Sequence, residues 1–490
     1  MDQTVDTNGK PFNKIALVVT LLCGTFCTVL NGTILATAFP TLMKTFNISA
    51  STVQWLTTGF MLVNGVMIPV SAWISTRVNS KILYISAMST FLVGTVICYF
   101  AGSFQMLLAG RLIQGVAVGI TMPLMQTIIL TIFPPEKRGI AMGLGGLVIG
   151  LAPAIGPTLS GWVIDNWTWR DLFSIIIPIV TLVIITSFFT MRSVLKISHN
   201  SIDVLSIIES TLGFGSLLYG FSSVGDHGWA SPLVYGTILV GLAFIALFCY
   251  RQLHLENPFL QLRVFKSPEF ALSVILSSVT NMAMMGVEMI LPLYLQMVKG
   301  LSAFHSGLAL LLGALIMGVM SPVTGAAFDR FGAKRLATTG MFFLTAGTVP
   351  FLFITKSSST LYIVVLYAFR MFGISMVNMP VTTSGMNSLP FNLISHGTAV
   401  NNTTRQVFTS MGTAILVSVL TNVTNNLKPA VSVLKATPMA YKDQLLSATI
   451  TGYRAAFGVA VFLCLVTFCL SFKLKDKETS ADLPLGGDAK

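Results

Sequence analysis

Charge is what this sequence has least of. Asp, Glu, Lys and Arg make up 9% of 490 residues, against about a quarter in a soluble domain, which excludes a water-soluble globular fold. Histidine (five) and cysteine (six) are also scarce. The cysteines, Cys23, Cys27, Cys98, Cys249, Cys464 and Cys469, form no CxxC pair and no cluster with histidine. Neither a disulfide framework nor a metal site is supported, and they read as apolar packing residues. There is no GxxxxGK[ST] phosphate loop, so a primary pump is excluded. No span interior holds a histidine or a second acid, which leaves an intramembrane enzyme without its constellation. The loops and tail are too short for a folded output module, so a membrane sensor or structural protein is a distant alternative.

What is abundant is apolar: 54% of residues are hydrophobic. Runs such as 15–36, 83–101, 172–191 and 457–472 approach or exceed the ~20 residues that cross a bilayer as helix. They are continuous rather than alternating, unlike the strands of an outer-membrane barrel, and helices are the remaining way to satisfy that backbone in lipid. Hydropathy places fourteen spans near 15–36, 52–73, 82–101, 104–131, 140–163, 172–192, 204–223, 232–250, 270–297, 304–327, 336–355, 359–385, 398–423 and 453–472. The first follows a mostly polar stretch with no small-residue cleavage site and reads as a retained helix rather than a signal peptide.

The net charge of +12 is a question of placement. Eighteen of the 29 Lys and Arg fall on the side of the N-terminus, seven on the opposite side, and Arg111, Arg370, Arg405 and Arg454 within or at the edge of spans. The positive-inside rule then puts both termini in the cytoplasm. The basic excess is an orientation signal; the expected partner is a lipid bilayer, not nucleic acid.

The chain repeats itself. Arg77, Asn79 and Lys81 after span two match Arg330, Gly332 and Lys334 after span ten at an offset of 253, Ser49-Ala50 matches Ser302-Ala303, and Pro40 matches Pro292 at 252. Arg111 in span four corresponds to Arg370 in span twelve, and Pro123 and Pro380 follow them. Eight spans, an even number, separate the copies, so orientation is preserved. Spans one to six form one half (1–200), spans nine to fourteen the other (253–490), and spans seven and eight an inserted hairpin (201–252). Parallel six-helix halves are the plan of a rocking transporter with its substrate site between them near the midplane. An inert duplicated scaffold would not be expected to keep intramembrane charges.

These residues resemble a known family. Gly325-x3-Asp329-Arg330-x-Gly332-x-Lys334-Arg335 resembles the signature loop of the major facilitator superfamily, Arg111-x2-Gln114-Gly115 its fourth-helix motif, and Gly150-x5-Gly156-Pro157-x2-Ser160-Gly161 its fifth-helix antiporter motif. Leu30-Asn31-Gly32-Thr33-Ile34 before Pro40, and Gln54-Trp55 opening span two, are similar to the fourteen-helix drug:proton antiporters of the EmrB/QacA type, in the lincomycin-resistance-like branch. The resemblance implies an all-α major facilitator fold of two six-helix bundles plus two inserted helices. It further implies a multi-pass protein of a bacterial plasma membrane, monomeric, with no cofactor but the proton gradient, exporting lipophilic cationic or neutral drugs in exchange for protons. Export of one specific metabolite or lipid is the alternative. Two departures matter: Ala72, Thr76 and Asn79 stand where the first signature loop has Gly, Asp and Gly, so gating there rests on Arg77 and Lys81. Asn31 stands where relatives carry an acid, which implies fewer protons per cycle.

Among the seventeen acids, Glu288 alone sits far from a span end, about ten residues or ~15 Å from the outer end of span nine. A lone carboxylate there is costly when charged and can exist as the neutral acid, as a proton carrier must. Steps of three and four put Asn281, Met284, Met285, Glu288, Pro292 and Gln296 on one face, polar and methionine-rich. Asn281, Met284, Met285 and Gln296 of that face, with Asn31, Trp55, Gln114 and Asn378, make up the expected substrate cavity. Arg111 is the second expected coupling residue, with Asn31 or backbone carbonyls as acceptors; snorkelling to the outer headgroups is the alternative. Arg405, in the polar run Asn401 to Gln406, is expected as a structural tie nearer the cytoplasm. Gly150, Gly156, Pro157 and Gly161 permit close helix approach, and Asp329, Arg330 and Gly332 can form a charge latch at the cytoplasmic face. Ordinary packing and a solvated loop are the alternatives there.

Overall fold

A computed structural model describes the chain apart from residues 1–5, 8, 36, 37, 49, 196, 198–202, 256, 257, 430–436 and 476–490. The described residues contain no strand, and fourteen helices are long and apolar enough to cross a membrane. In chain order they are Lys14–Thr33, Ala50–Ser75, Ser80–Tyr99, Phe104–Ile132, Arg138–Asn166, Asp171–Thr190, Val204–His227, Pro232–His254, Pro268–Met297, Ala303–Phe331, Ala333–Phe353, Thr360–Asn387, Ile394–Asn426 and Pro438–Ser471. The expected first domain boundary, at 200–201, lies outside the described residues.

Local sequence sets the starts. Asn13, Asn79, Ser103, Ser267, Ser302 and Ser359 turn their side-chain oxygens onto the first free backbone N–H groups of spans one, three, four, nine, ten and twelve; such caps satisfy donors that would otherwise face lipid or headgroups. Asp203 does the same for span seven. Gly332 joins spans ten and eleven at φ 79°, a left-handed conformation that favours glycine. Its first-half counterpart Asn79 has φ −49° and acts as a cap instead, so the missing glycine costs nothing there.

Two boundaries differ from expectation. Span fourteen begins at Pro438, fifteen residues earlier than hydropathy places it, because the polar turn Tyr441 to Gln444 continues the helix beyond its apolar part. Span twelve is broken between Ser375 and Asn378. Pro380 cannot donate to the Met376 carbonyl and crowds it; Met376 and Val377 tighten onto Gly373 and Ile374. The freed Ser375 carbonyl is taken by the Thr324 hydroxyl at 2.9 Å.

The buried apolar cores show how the halves meet. One core fills the first half and continues into Phe270, Val274, Met386, Leu389, Ile394 and Val400, at the cytoplasmic ends of spans nine, twelve and thirteen. The rest of the second half has a separate core around Leu291, Tyr294, Leu344 and Phe457. The halves therefore share apolar core at the cytoplasmic end. Spans five and ten pack along their length, and the hairpin of spans seven and eight lies against spans two and thirteen, with Leu217, Phe221 and Val224 meeting Ala414.

Candidate transport site

Arg111 is wholly buried. Its Nε donates to the Leu56 carbonyl at 3.1 Å and its Nη1 to the Asn31 carbonyl and Gln114 Oε1, both at 3.0 Å. Gln114 Nε2 passes the chain on to Thr95 Oγ1 at 2.8 Å, and the guanidinium lies 4.2 Å over the Phe60 ring. One arginine thus ties spans one, two, three and four, which rules out snorkelling. The acceptor from Asn31 is its backbone; both polar atoms of the Asn31 side chain are buried without a partner.

The second half repeats this arrangement. Arg370, also fully buried, donates through Nη2 to the Ala283 carbonyl at 2.8 Å and through Nε to Thr348 Oγ1 at 2.9 Å. Ala283 and Thr348 lie 252 and 253 residues after Asn31 and Thr95, the spacings of the internal repeat. Gln114 has Gly373 as its counterpart, so Arg370 reaches its threonine directly. One turn before Arg370 on span twelve, the Tyr367 hydroxyl faces the Glu288 carboxylate within interaction range. Glu288 lies within electrostatic range of Arg370, though no ion pair within 4.0 Å joins them among the described residues.

One to two turns inward from Glu288, a cavity of about 50 Å³ lies between the halves near mid-depth. Asn281, Met284 and Met285 of span nine, Asn378 at the break in span twelve, and Gly146 and Ile149 of span five line it. Asn281 donates to Asn378 at 3.1 Å. A drug-sized ligand needs about 300 Å³ or more, so this space holds a few waters and must widen for cargo. The sequence brings four of its expected cavity residues here. The other four stand elsewhere: Asn31 and Gln114 in the Arg111 network, Gln296 exposed at the outer end of span nine, and Trp55 stacked 5.7 Å from Tyr219 of the hairpin.

Arg405 is the residue sequence reasoning placed wrongly. Expected as a tie, it lines the cavity and makes no hydrogen bond, ion pair or ring contact among the described residues. The unbroken polar run around it, about a third of the way along a 33-residue helix, was the available signal.

The cytoplasmic side is closed by polar contacts between the halves. Asp329, ending span ten, accepts from the backbone N–H groups of Gly139 and Ile140 at 2.8 and 2.9 Å, a carboxylate on a helix N-terminus. Arg138 Nη1 donates to Asn387 at 2.7 Å, and Asn402 to Gln126 at 2.7 Å. Glycines make this approach possible: a Cβ on Gly143 would lie 2.5 Å from the Ser321 carbonyl, and one on Gly150 3.0 Å from Met317. Gly156 instead abuts Thr33 of span one, and Gly161 has only Phe304, at 3.7 Å. The Pro157 side chain lies outside the described residues. Arg330 rests 5.3 Å from the Phe331 ring, and Arg77 4.7 Å from the Trp73 ring. Beyond the latch, a pocket of about 520 Å³ opens at the cytoplasmic end between Phe133, Pro134, Arg138, Asn387 and Phe391.

Two halves repeating one arginine network, a cavity between them and a latch across them are transporter architecture, and the comparisons agree. The Major Facilitator Superfamily description matches residues 21–413. The chain belongs to that superfamily. It is 47% identical to the MFS-type transporter YcnB of Bacillus subtilis (strain 168), over 96% of this chain and 98% of that one. It is 38% identical to the lincomycin resistance protein LmrB of Listeria innocua, over 96% and 99%. The solved human organic anion transporter MFSD10 superposes with a TM-score of 0.64 at 14% identity, covering 93% of this chain and 99% of that chain, a likeness of fold. As a major facilitator protein the chain is a multi-pass membrane transporter and not an enzyme, and its relatives include resistance exporters.

Proposed function

We propose that this transporter is a proton-coupled exporter of lipophilic small molecules, acting as a monomer by alternating access in a bacterial plasma membrane. One observation carries the coupling: Glu288, deep in span nine, lies in range of both Tyr367 and Arg370, one to two turns from the cavity. Arg370 holds span twelve to spans nine and eleven through Ala283 and Thr348. Ionising Glu288 changes the pull on that arginine, so proton occupancy acts on the packing of the second half next to the cargo space. The lincomycin resistance named for LmrB supports export of drug-like cargo.

The test is reconstitution of purified protein with an imposed pH gradient and a panel of labelled lipophilic compounds. Efflux should follow the gradient, and Glu288→Gln should abolish cargo-driven proton release. Efflux indifferent to the gradient would overturn the coupling.

A further inference from the structure

The three arginines at mid-membrane depth are treated unequally: Arg111 and Arg370 are fully buried, and Arg405 is partly exposed at the cavity. Arg111 donates to two carbonyls and the Gln114 amide and Arg370 to a carbonyl and a hydroxyl, each keeping one terminal nitrogen unpaired. Arg405 faces the cavity with no partner from the described residues, and the cavity wall contains no Asp or Glu. Of the amides one turn before it, Asn401 accepts from Ser277 at 2.9 Å and Asn402 donates to Gln126, while the Asn402 oxygen is free but makes no bond to Arg405. Glu288 is turned to Tyr367. An unpaired guanidinium at this depth is expensive, and the protein supplies no counter-charge where it supplies acceptors for the other two.

We propose that Arg405 is the specificity residue of the cargo site, and that the preferred cargo is a lipophilic organic anion whose carboxylate or similar oxyanion pairs with that guanidinium. The inference rests on the exporter reading and names its substrate class, in place of the cationic alternative. A planar guanidinium offers parallel donors to a carboxylate. Asn281 and Asn378, bonded to each other beside it, supply further polar contacts. Met284, Met285, Met317 and Met379 complete an apolar wall that can repack around varied hydrocarbon. A permanent cation entering the same space meets a like charge with no acid in the wall to offset it.

Three probes of one skeleton separate the possibilities: 2-naphthoate, neutral 2-naphthol, and (2-naphthylmethyl)trimethylammonium. Their binding to full-length protein in detergent is measured by calorimetry without any gradient, for wild type, Arg405→Gln and Arg405→Lys, each checked for an unchanged thermal unfolding midpoint. Wild type should bind naphthoate at least tenfold more tightly than the ammonium compound. Arg405→Gln should lose at least tenfold for naphthoate while changing naphthol less than threefold, and Arg405→Lys should recover part of the loss. Equal naphthoate affinity in wild type and Arg405→Gln, or a wild-type preference for the ammonium compound, overturns the proposal. Because no proton gradient enters, an Arg405-dependent anion preference stands even if gradient-driven export fails.

Discussion

Arg370 holds the backbone carbonyl of Ala283 at 2.8 Å, and Arg111, in the other half, holds the carbonyl of Asn31 at 3.0 Å. The same bond appears at the repeat spacing in each half. What differs is the route to the third span: Gln114 bridges Arg111 to Thr95, whereas Arg370 meets Thr348 itself.

That asymmetry predicts unequal stability losses. Gln114→Ala leaves Arg111 its two carbonyls, on spans one and two. Thr348→Val keeps the side-chain shape and leaves Arg370 only the Ala283 carbonyl, with Nη1 already unpaired. An unsatisfied buried donor costs about 1–3 kcal/mol, more when charged, so both variants should unfold at lower temperature in detergent, Thr348→Val the more so. Equal shifts would show that the amide bridge and the direct bond do equivalent work.

The latch at the cytoplasmic face predicts a change in conformational population. Asp329 accepts two backbone bonds from span five. Asparagine can replace one acceptor but presents an N–H₂ where the second stood, and it loses the charge that the helix terminus favours. At about 1.5–3 kcal/mol for a charged hydrogen bond, Asp329→Asn should shift the balance toward the cytoplasm-open state by roughly tenfold or more. A cysteine at Leu389, buried beside the cytoplasmic pocket, in a cysteine-free background should label faster with a membrane-impermeant maleimide applied from the cytoplasmic side. An unchanged labelling rate would mean that Arg138, Gln126 and the shared apolar core hold the face shut without Asp329.

Glycine spacing in span five is not uniform in consequence. A Cβ on Gly143 would meet Ser321 backbone oxygen at 2.5 Å and the Pro322 Cα at 2.9 Å, and backbone atoms cannot step aside. On Gly161 the nearest atom is a Phe304 ring carbon at 3.7 Å, an ordinary contact. Gly143→Ala should therefore prevent closure of the cytoplasmic face and cut transport tenfold or more, while Gly161→Ala stays within about twofold. Vesicle efflux of one labelled substrate at matched protein levels compares them; equal loss would contradict the close-approach reading.

These contrasts mark where sequence stops being informative. Span number was legible because apolar length is dictated by the bilayer, and Glu288 and the Arg111 pair were legible because charge is so scarce that each intramembrane case stands out. The start of span fourteen was not, since Lys442 and Asp443 read as loop while their backbone stays helical. The break in span twelve was not either: Pro123 and Pro380 give the same signal, yet span four runs on unbroken through Pro123. In span twelve the Thr324 hydroxyl, brought by span ten, donates to the freed Ser375 carbonyl. Arg405 was misread for a related reason, because whether a buried arginine has acceptors depends on neighbouring spans that are remote in the chain.

The hairpin supplies a pH-dependent prediction. Asp203, just before span seven, pairs with Arg251 of span eight at 2.9 Å and caps its own helix through Ser206. Burial alone would raise its carboxyl, but the hydrogen bonds from Arg251 and Ser206 outweigh burial and hold it below the ordinary aspartate value. The unfolded chain then takes up the proton first as pH falls. The stabilisation is complete above the ordinary aspartate value of about 3.9 and fades as pH drops through the lower native one. Asp203→Asn should therefore lower the unfolding midpoint at pH 7 and approach wild type as pH falls through the lowered native value. A difference that persists undiminished at low pH would assign the effect to the lost cap geometry rather than to the charge.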